Sequence, residues 1–312
     1  MNEFLKDNFQ KILGLVVIIA FSVYFAFNIE SFKPLLSVKP LYLFLVALCY
    51  AFIVFTNGLF IKYVIEPFKK NISVQEATRV SLLSSIGNFF ASSGAGLGFR
   101  AVYLKKKHNL RYQDYMATVY GNYLLIFICN SLIALLGLLF VKRKDGPVYL
   151  SLTLLFLSLL AVSIVLCFIR VPAGKKKSKH IVHKIFFVLQ EMTSGWNRIV
   201  KNRRLLMHLS MVIIIQIILS FCVAWLELRA LSIRIGWAET MLLSILGSMS
   251  IFVSITPANI GVKELIFIFT ATTIGLTTPD ILSVSIIDRG VLFATLGILW
   301  IFFGRNKEYK NV

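Results

Sequence analysis

The chain has 312 residues, 58% of them hydrophobic, with 33 Lys and Arg against 14 Asp and Glu and a formal net charge of +19. Its mean hydropathy is +0.81, and its apolar share exceeds the roughly 45–50% of soluble domains, so the composition argues against a soluble enzyme and for a bilayer as solvent. The basic residues lie between long apolar runs, which argues against nucleic-acid binding and for contact with an anionic membrane surface.

Along the chain, apolar runs long enough to span a membrane fall at roughly 12–28, 41–65, 113–140, 148–170, 205–228 and 281–303. The first, Ile12 to Asn28, follows Lys6 and Lys11 and lacks a small-residue cleavage site, so it reads as a retained span rather than a signal peptide. Two further stretches, about 72–104 and 237–276, could enter the membrane but are broken midway by Gly, Pro, Asn, Ser or Thr. Counting these, the fold class is an all-α integral membrane protein, a polytopic bundle of about six to eight spans.

Residues 171–204 form a basic loop with Lys175, Lys176, Lys177, Lys179, Lys184, Arg198, Lys201 and Arg203, which the positive-inside rule places in the cytoplasm. Both termini fall on the same side, predicting a multi-pass protein of the cytoplasmic membrane. Lys142, Arg143 and Lys144 are the one discord, falling outside. Within the loop, Ile181 to Val200 reads either as an amphipathic interfacial helix or as a plain linker helix. Cys49, Cys129, Cys167 and Cys222 all sit in apolar runs, and no disulfide is expected.

The two broken stretches resemble each other at an offset of 163 residues. Glu76 meets Glu239, Ser81 meets Ser244, Leu83 meets Leu246, Ser85 meets Ser248, Phe89 meets Phe252, Ala95 meets Ala258 and Gly98 meets Gly261. The breaks coincide, Ser93 to Arg100 lying over Thr256 to Lys263, and a basic residue ends each. After a three-residue shift Asp114 falls on Asp280, and Asn122-Tyr123 on Asp288-Arg289. An odd number of full spans separates the stretches, so the units, about 41–140 and 205–303 of a single 1–312 transmembrane domain, are expected to be inverted. Each would contain a re-entrant helix pair, as in secondary transporters, with binding near the midplane.

Pro257 and Gly94, Gly96, Gly98 and Gly261 are the candidate backbone breaks. Ser93, Thr256 and Asn259 flank them. Arg100 and Lys263 would hold an anion such as a phosphate beside a helix N-terminus. Glu264, Asp288 and Arg289 are charges at membrane depth, so they should pair or line a pathway; Asp288 is matched with Lys263, and Arg289 with Glu264. The bland reading is helix-to-helix glue. Glu227 and Arg229 lie near a span end and read as snorkelling. His180 and His183 lack further ligand candidates, so no metal is expected, and no nucleotide cradle or hydrolase motif is present. The expectation is a non-enzyme without cofactor.

At these residues the chain resembles the lysylphosphatidylglycerol synthase transmembrane-region family, or flippase-like domain proteins. The resemblance rests on Thr256 to Glu264, similar to a Pro-Gly-Gly-x-Gly-x-x-Glu signature, on Gly94 to Leu104 with Arg100-Ala101, and on Asp288-Arg289. Ala258 and Asn259 replace glycines of that pattern, Leu97 an acidic residue, and Asn122-Tyr123 an Asp-Arg-like pair. The resemblance implies a lipid flippase core; with only about nine residues after the last span, the lysine-transferring cytosolic domain of its best-known members is expected to be absent. The expected cargo is an aminoacylated phospholipid or a polyprenyl-phosphate-linked glycan. Expected partners are anionic membrane lipids and lipid or glycan biosynthesis enzymes, with a homo-oligomer possible and nucleic acid excluded. The alternatives are a small-solute or ion transporter, and an accessory subunit of a lipid or glycolipid biosynthesis enzyme.

Overall fold

The computed structural model describes residues 30, 35, 37–90, 94–142, 146–169, 181–253, 256 and 259–304. The expected first span at 12–28 and most of the lysines of the basic loop lie outside the described residues. Within them the chain is all-α, with ten α-helices. Five of these are long and apolar enough to cross a membrane. They are α1 (Pro40–Ile65), α4 (Tyr112–Phe140), α5 (Pro147–Phe168), α7 (Arg203–Ala230) and α10 (Thr278–Leu299), the last prolonged by a π-helical turn, Trp300–Gly304. These bounds differ from the sequence expectation by at most a few residues. Local chemistry sets the starts: Pro occupies the first turn of α1, α5 and α10, where its missing N–H costs nothing, and Thr277 and Asp280 form a capping box at α10.

The two broken stretches are helix pairs. The first is α2 (Val74–Phe90) and α3 (Gly94–His108); the second is α8 (Trp237–Met249), a 3-10 turn Ser250–Val253, and α9 (Val262–Ile274). Between the pairs, α6 (Ile181–Lys201) lies within the basic loop. The helices of the pairs have 17, 15, 13 and 13 residues. At 1.5 Å per residue, each is about 20–26 Å long, short of the roughly 30 Å hydrocarbon core.

In each pair the two helices pack on one another. At Gly96 a Cβ would collide with the Ser84 carbonyl oxygen and the Asn88 side chain, so only glycine allows α3 to lie this close to α2. The Gly96 N–H donates to Asn88 Oδ1 at 2.8 Å. In the second pair, Asn259 Nδ2 donates to Ser250 Oγ at 2.5 Å.

The spans α1 and α7 lie antiparallel, joined by Gln216 Nε2 donating to Asn57 Oδ1 at 3.2 Å and by stacking of Tyr63 on His208. Apolar packing divides into two main clusters. One is built around Ile65, Tyr103, Leu110, Ile199, Leu209 and Ile213. The other is built around Ala134, Phe156, Leu242, Leu243, Ile274 and Ile281. The α6 helix expected in the basic loop is present, and its end docks on α4, with Trp196 against Gly121 and Gly195 against Ala117. Outward-facing Leu150, Leu154 and Leu157 of α5 and Met207, Met211 and Ile218 of α7 are exposed, as a lipid-facing surface requires.

Candidate functional site

The charged residues of the second half converge where the N-terminus of α9 meets the middle of α10. Lys263 Nζ lies 2.8 Å from Asp288 Oδ2. Arg289 Nη1 lies 2.5 Å from Glu264 Oε1. Both pairings match the sequence expectation. Adjacent residues on a helix point in different directions, so Asp288 and Arg289 reach two successive residues of α9 rather than each other. The Glu264 side chain also closes the helix end, since Oε2 accepts the Gly261 N–H at 2.8 Å. Gly261 has φ 87° and Asn259 φ 57°, so the chain enters α9 through left-handed backbone that glycine and asparagine adopt most readily.

Other candidates brace this entry. Thr256 Oγ1 donates to the Ile260 carbonyl at 2.7 Å, and the Asn259 carbonyl accepts from Arg289 Nη2 at 3.4 Å. Ser93 and Pro257 lie outside the described residues.

In this state the Lys263 ammonium has Asp288 as its counter-ion, the pairing expected from the sequence. One correction concerns the glycines. Gly94, Gly96 and Gly98 lie within α3 rather than in the turn before it. Only Gly96 is demanded by close packing; beside Gly94 and Gly98 the space is open.

Two residues of this cluster carry no sequence motif. Tyr50 of α1 donates its hydroxyl to Asp288 Oδ1. Glu227 of α7, read above as snorkelling, is instead 2% exposed. Its carboxyl faces Asp288. Its neighbour Arg229 is half-buried, with its guanidinium 4.4 Å from the Trp225 ring centre. A polar residue within an apolar span was the available signal for both.

Arg100 is different. It lies two turns into α3, near Tyr115 and Tyr123 of α4. It pairs with no described carboxylate, and its buried Nε has no hydrogen-bond partner. No acidic residue occupies the first turn of α3.

At the outer end of the first pair, Glu76 accepts hydrogen bonds from Tyr103 at 2.5 Å and His108 at 2.9 Å, and Lys107 lies 3.0 Å away. Burial alone would raise the carboxyl's pKa. The hydrogen bonds of Tyr103, His108 and Lys107 outweigh it and hold the pKa below the ordinary value. Among the described residues no group of His, Cys, Asp and Glu has the geometry to hold a metal.

No curated protein matches the chain. A family model does, described as the lysylphosphatidylglycerol synthase TM region, over residues 11–299. With nearly the whole chain matched, and with the broken helix pairs and the Lys263–Asp288 and Arg289–Glu264 pairs in place, this multi-pass membrane protein belongs to the lysylphosphatidylglycerol synthase transmembrane-region family.

Proposed function

We propose that the protein carries a phosphate-bearing, polar-headed lipid across the cytoplasmic membrane, without catalysing its chemistry. An aminoacylated phospholipid and a polyprenyl-phosphate-linked glycan both fit this description. In this reading both termini face the cytoplasm, and enzymes of envelope-lipid or glycan synthesis deliver or consume the cargo.

The observation that carries the proposal is an apolar groove of about 440 Å³ between α1 and α10, lined by Leu43, Phe44, Ala47, Gly290, Ala294 and Ile298 among others. Phe44 and Ile298 are exposed on it, so the groove opens on the outer face of the bundle. Tyr50 follows Ala47 by three residues, and Asp288 precedes Val291, another lining residue, by three. Such spacing puts the Tyr50–Asp288 bond on the helix faces that wall the groove. A path open to lipid beside a polar cluster suits a molecule with apolar tails and a charged head. A small-solute site would be shut off from lipid.

The inverted-repeat reading supports the same conclusion. Position 87 lies against 96 in the first pair, and position 250 bonds 259 in the second, each partner shifted by 163. Phe89 packs on Phe293, as Phe252 packs on Phe127. Helix contacts recur in the same way: α1 with α2 as α7 with α8, α2 with α10 as α8 with α4, and α1 with α10 as α7 with α4. Because α1 and α7 run antiparallel, pairs that follow their C-terminal ends enter from opposite faces of the bundle. In this reading the pairs are re-entrant, and Arg100 in the N-terminal half of α3 receives the phosphate.

The test is a proteoliposome assay with purified protein and head-labelled phosphatidylglycerol, read by quenching of the outward-facing label. Protein-dependent loss of protection, reduced at least tenfold in Arg100→Gln, is the expected result. No movement of this lipid or of a polyprenyl phosphate would overturn the proposal.

A further inference from the structure

Around Glu227 the ionisable groups do not balance. From α10 it faces Asp288; Lys263 of α9 and Tyr50 of α1 complete the cluster. Cys49 of α1 adjoins Tyr50, and Cys222 lies on α7 itself. Arg289 belongs to Glu264. Glu239 of α8 is held elsewhere, accepting the Lys142 N–H at 3.0 Å. No ionisable group of α4, α6 or α8 enters the cluster among the described residues. With every group ionised, two carboxylates would share one ammonium in a closed, apolar setting. A buried unpaired charge of this kind is expelled by taking up a proton.

The hydrogen bonds decide which carboxyl takes it. Asp288 accepts from both Lys263 and Tyr50, which favours its charged form. Glu227 is 2% exposed, and its buried Oε1 has no partner. Two carboxyls with environments this different divide into an acid and a carboxylate.

We propose that Glu227 and Asp288 form a buried carboxyl pair that holds one proton, and that a second proton enters the pair when Lys263 leaves Asp288. An arriving phosphate is a stronger partner for Lys263 than a carboxylate already shared with Tyr50. Its departure leaves two carboxyls without a cation, and a proton from water replaces the lost charge. When Lys263 returns, that proton is released. Movement of an anionic head group is thereby tied to proton uptake and release. The proton-holding pair stands on its own geometry; the coupling rests on the lipid-carrier reading.

Two measurements separate these parts. Infrared difference spectroscopy of the full chain in lipid vesicles, between neutral and alkaline pH, should show the carbonyl stretch of a protonated, dry carboxyl. Glu227→Gln should lose that band while keeping its thermal unfolding midpoint, because the amide keeps the size and the donor. Should the Gln variant fail to fold, Glu227→Asp should shift the band instead. Absence of the band from the unsubstituted protein, or a band untouched by substitution of Glu227, overturns the pair. In proteoliposomes carrying head-labelled phosphatidylglycerol, an imposed pH gradient should change the rate several-fold, and Glu227→Gln should abolish that response. Transport indifferent to the gradient overturns the coupling and leaves the carrier reading intact. The band without any lipid movement keeps the pair and removes the carrier.

Discussion

In the second helix pair, Lys263 and Arg289 each meet an acid, and Glu264 also closes the end of its own helix. In the alignment of the first pair on the second, Arg100 falls on Lys263, yet Ala101 falls on Glu264, and Asn122 and Tyr123 fall on Asp288 and Arg289. The result is one half whose cations meet acids and one whose Arg100 meets no carboxylate among the described residues. In the carrier reading proposed above, the two halves would have different tasks: the neutral half would be a latch that opens and recloses, and the positive half would attract the anion. An acidic partner would stabilise Arg100 but would compete with that anion.

Substitutions test this division. The largest effect is expected for Asp288→Ala, which removes the acceptor of the Tyr50 hydroxyl and the hydrogen-bonded counter-ion of Lys263, leaving only Glu227 near that ammonium. Breaking a buried pair from one side costs about 3–5 kcal/mol, measurable as a lower unfolding midpoint in detergent. The double variant Lys263→Met/Asp288→Leu should recover most of that loss. Next is Arg100→Gln, expected to leave stability unchanged or raised while weakening phosphate recognition. Charge-assisted hydrogen bonds are worth about 1.5–3 kcal/mol, so head-group transport should fall about ten- to a hundredfold. Adding the missing acid with Asn122→Asp should reproduce that loss and raise the unfolding midpoint, making the first half behave like the second. If Asn122→Asp leaves transport unaltered, the division is wrong.

A smaller effect is expected for Gly96→Ala, which must push α3 away from the Ser84 carbonyl, at about 1–3 kcal/mol of overpacking. It should lower the unfolding midpoint, whereas Gly98→Ala, with open space beside it, should not. The smallest concerns pH. The folded Glu76 carboxyl has a lowered pKa, so its contribution is complete above the ordinary glutamate value of about 4.3 and fades as pH falls through the lower folded value. Glu76→Gln should flatten the acid side of the pH–stability curve. An unchanged acid limb would show that Tyr103, His108 and Lys107 do not hold the ionised carboxylate.

Much of the architecture is legible without coordinates because a bilayer limits the choices. Apolar length and flanking charge locate α1, α4, α5, α7 and α10 closely. The breaks within 72–104 and 237–276 betray the short helices. The pairing of Asp288 with Lys263 and Arg289 with Glu264 follows from the cost of isolated charge at depth. The rest depends on tertiary approach. Tyr50 sits in an unbroken apolar run, and nothing local tells that α10 brings Asp288 beside it. Glu227 lies close enough to its helix end to look solvated, and only the packing of α1, α9 and α10 encloses it. The glycines mislead for a related reason: Gly94, Gly96 and Gly98 look alike in sequence, but only Gly96 faces α2.

The bond from Tyr50 to Asp288 joins positions 238 residues apart, and this has a consequence for biogenesis. The first described span leaves the ribosome long before its partner exists. Until α10 is inserted, the Tyr50 hydroxyl, the Glu227 carboxyl and the Lys263 ammonium must all wait in or near lipid without Asp288. A chain stalled before α10 therefore leaves Tyr50 without its acceptor and Lys263 with Glu227, rather than Asp288, as the available acid. Insertion of α10 supplies the missing carboxylate, so the contact that walls the groove is among the last long-range contacts the chain can make.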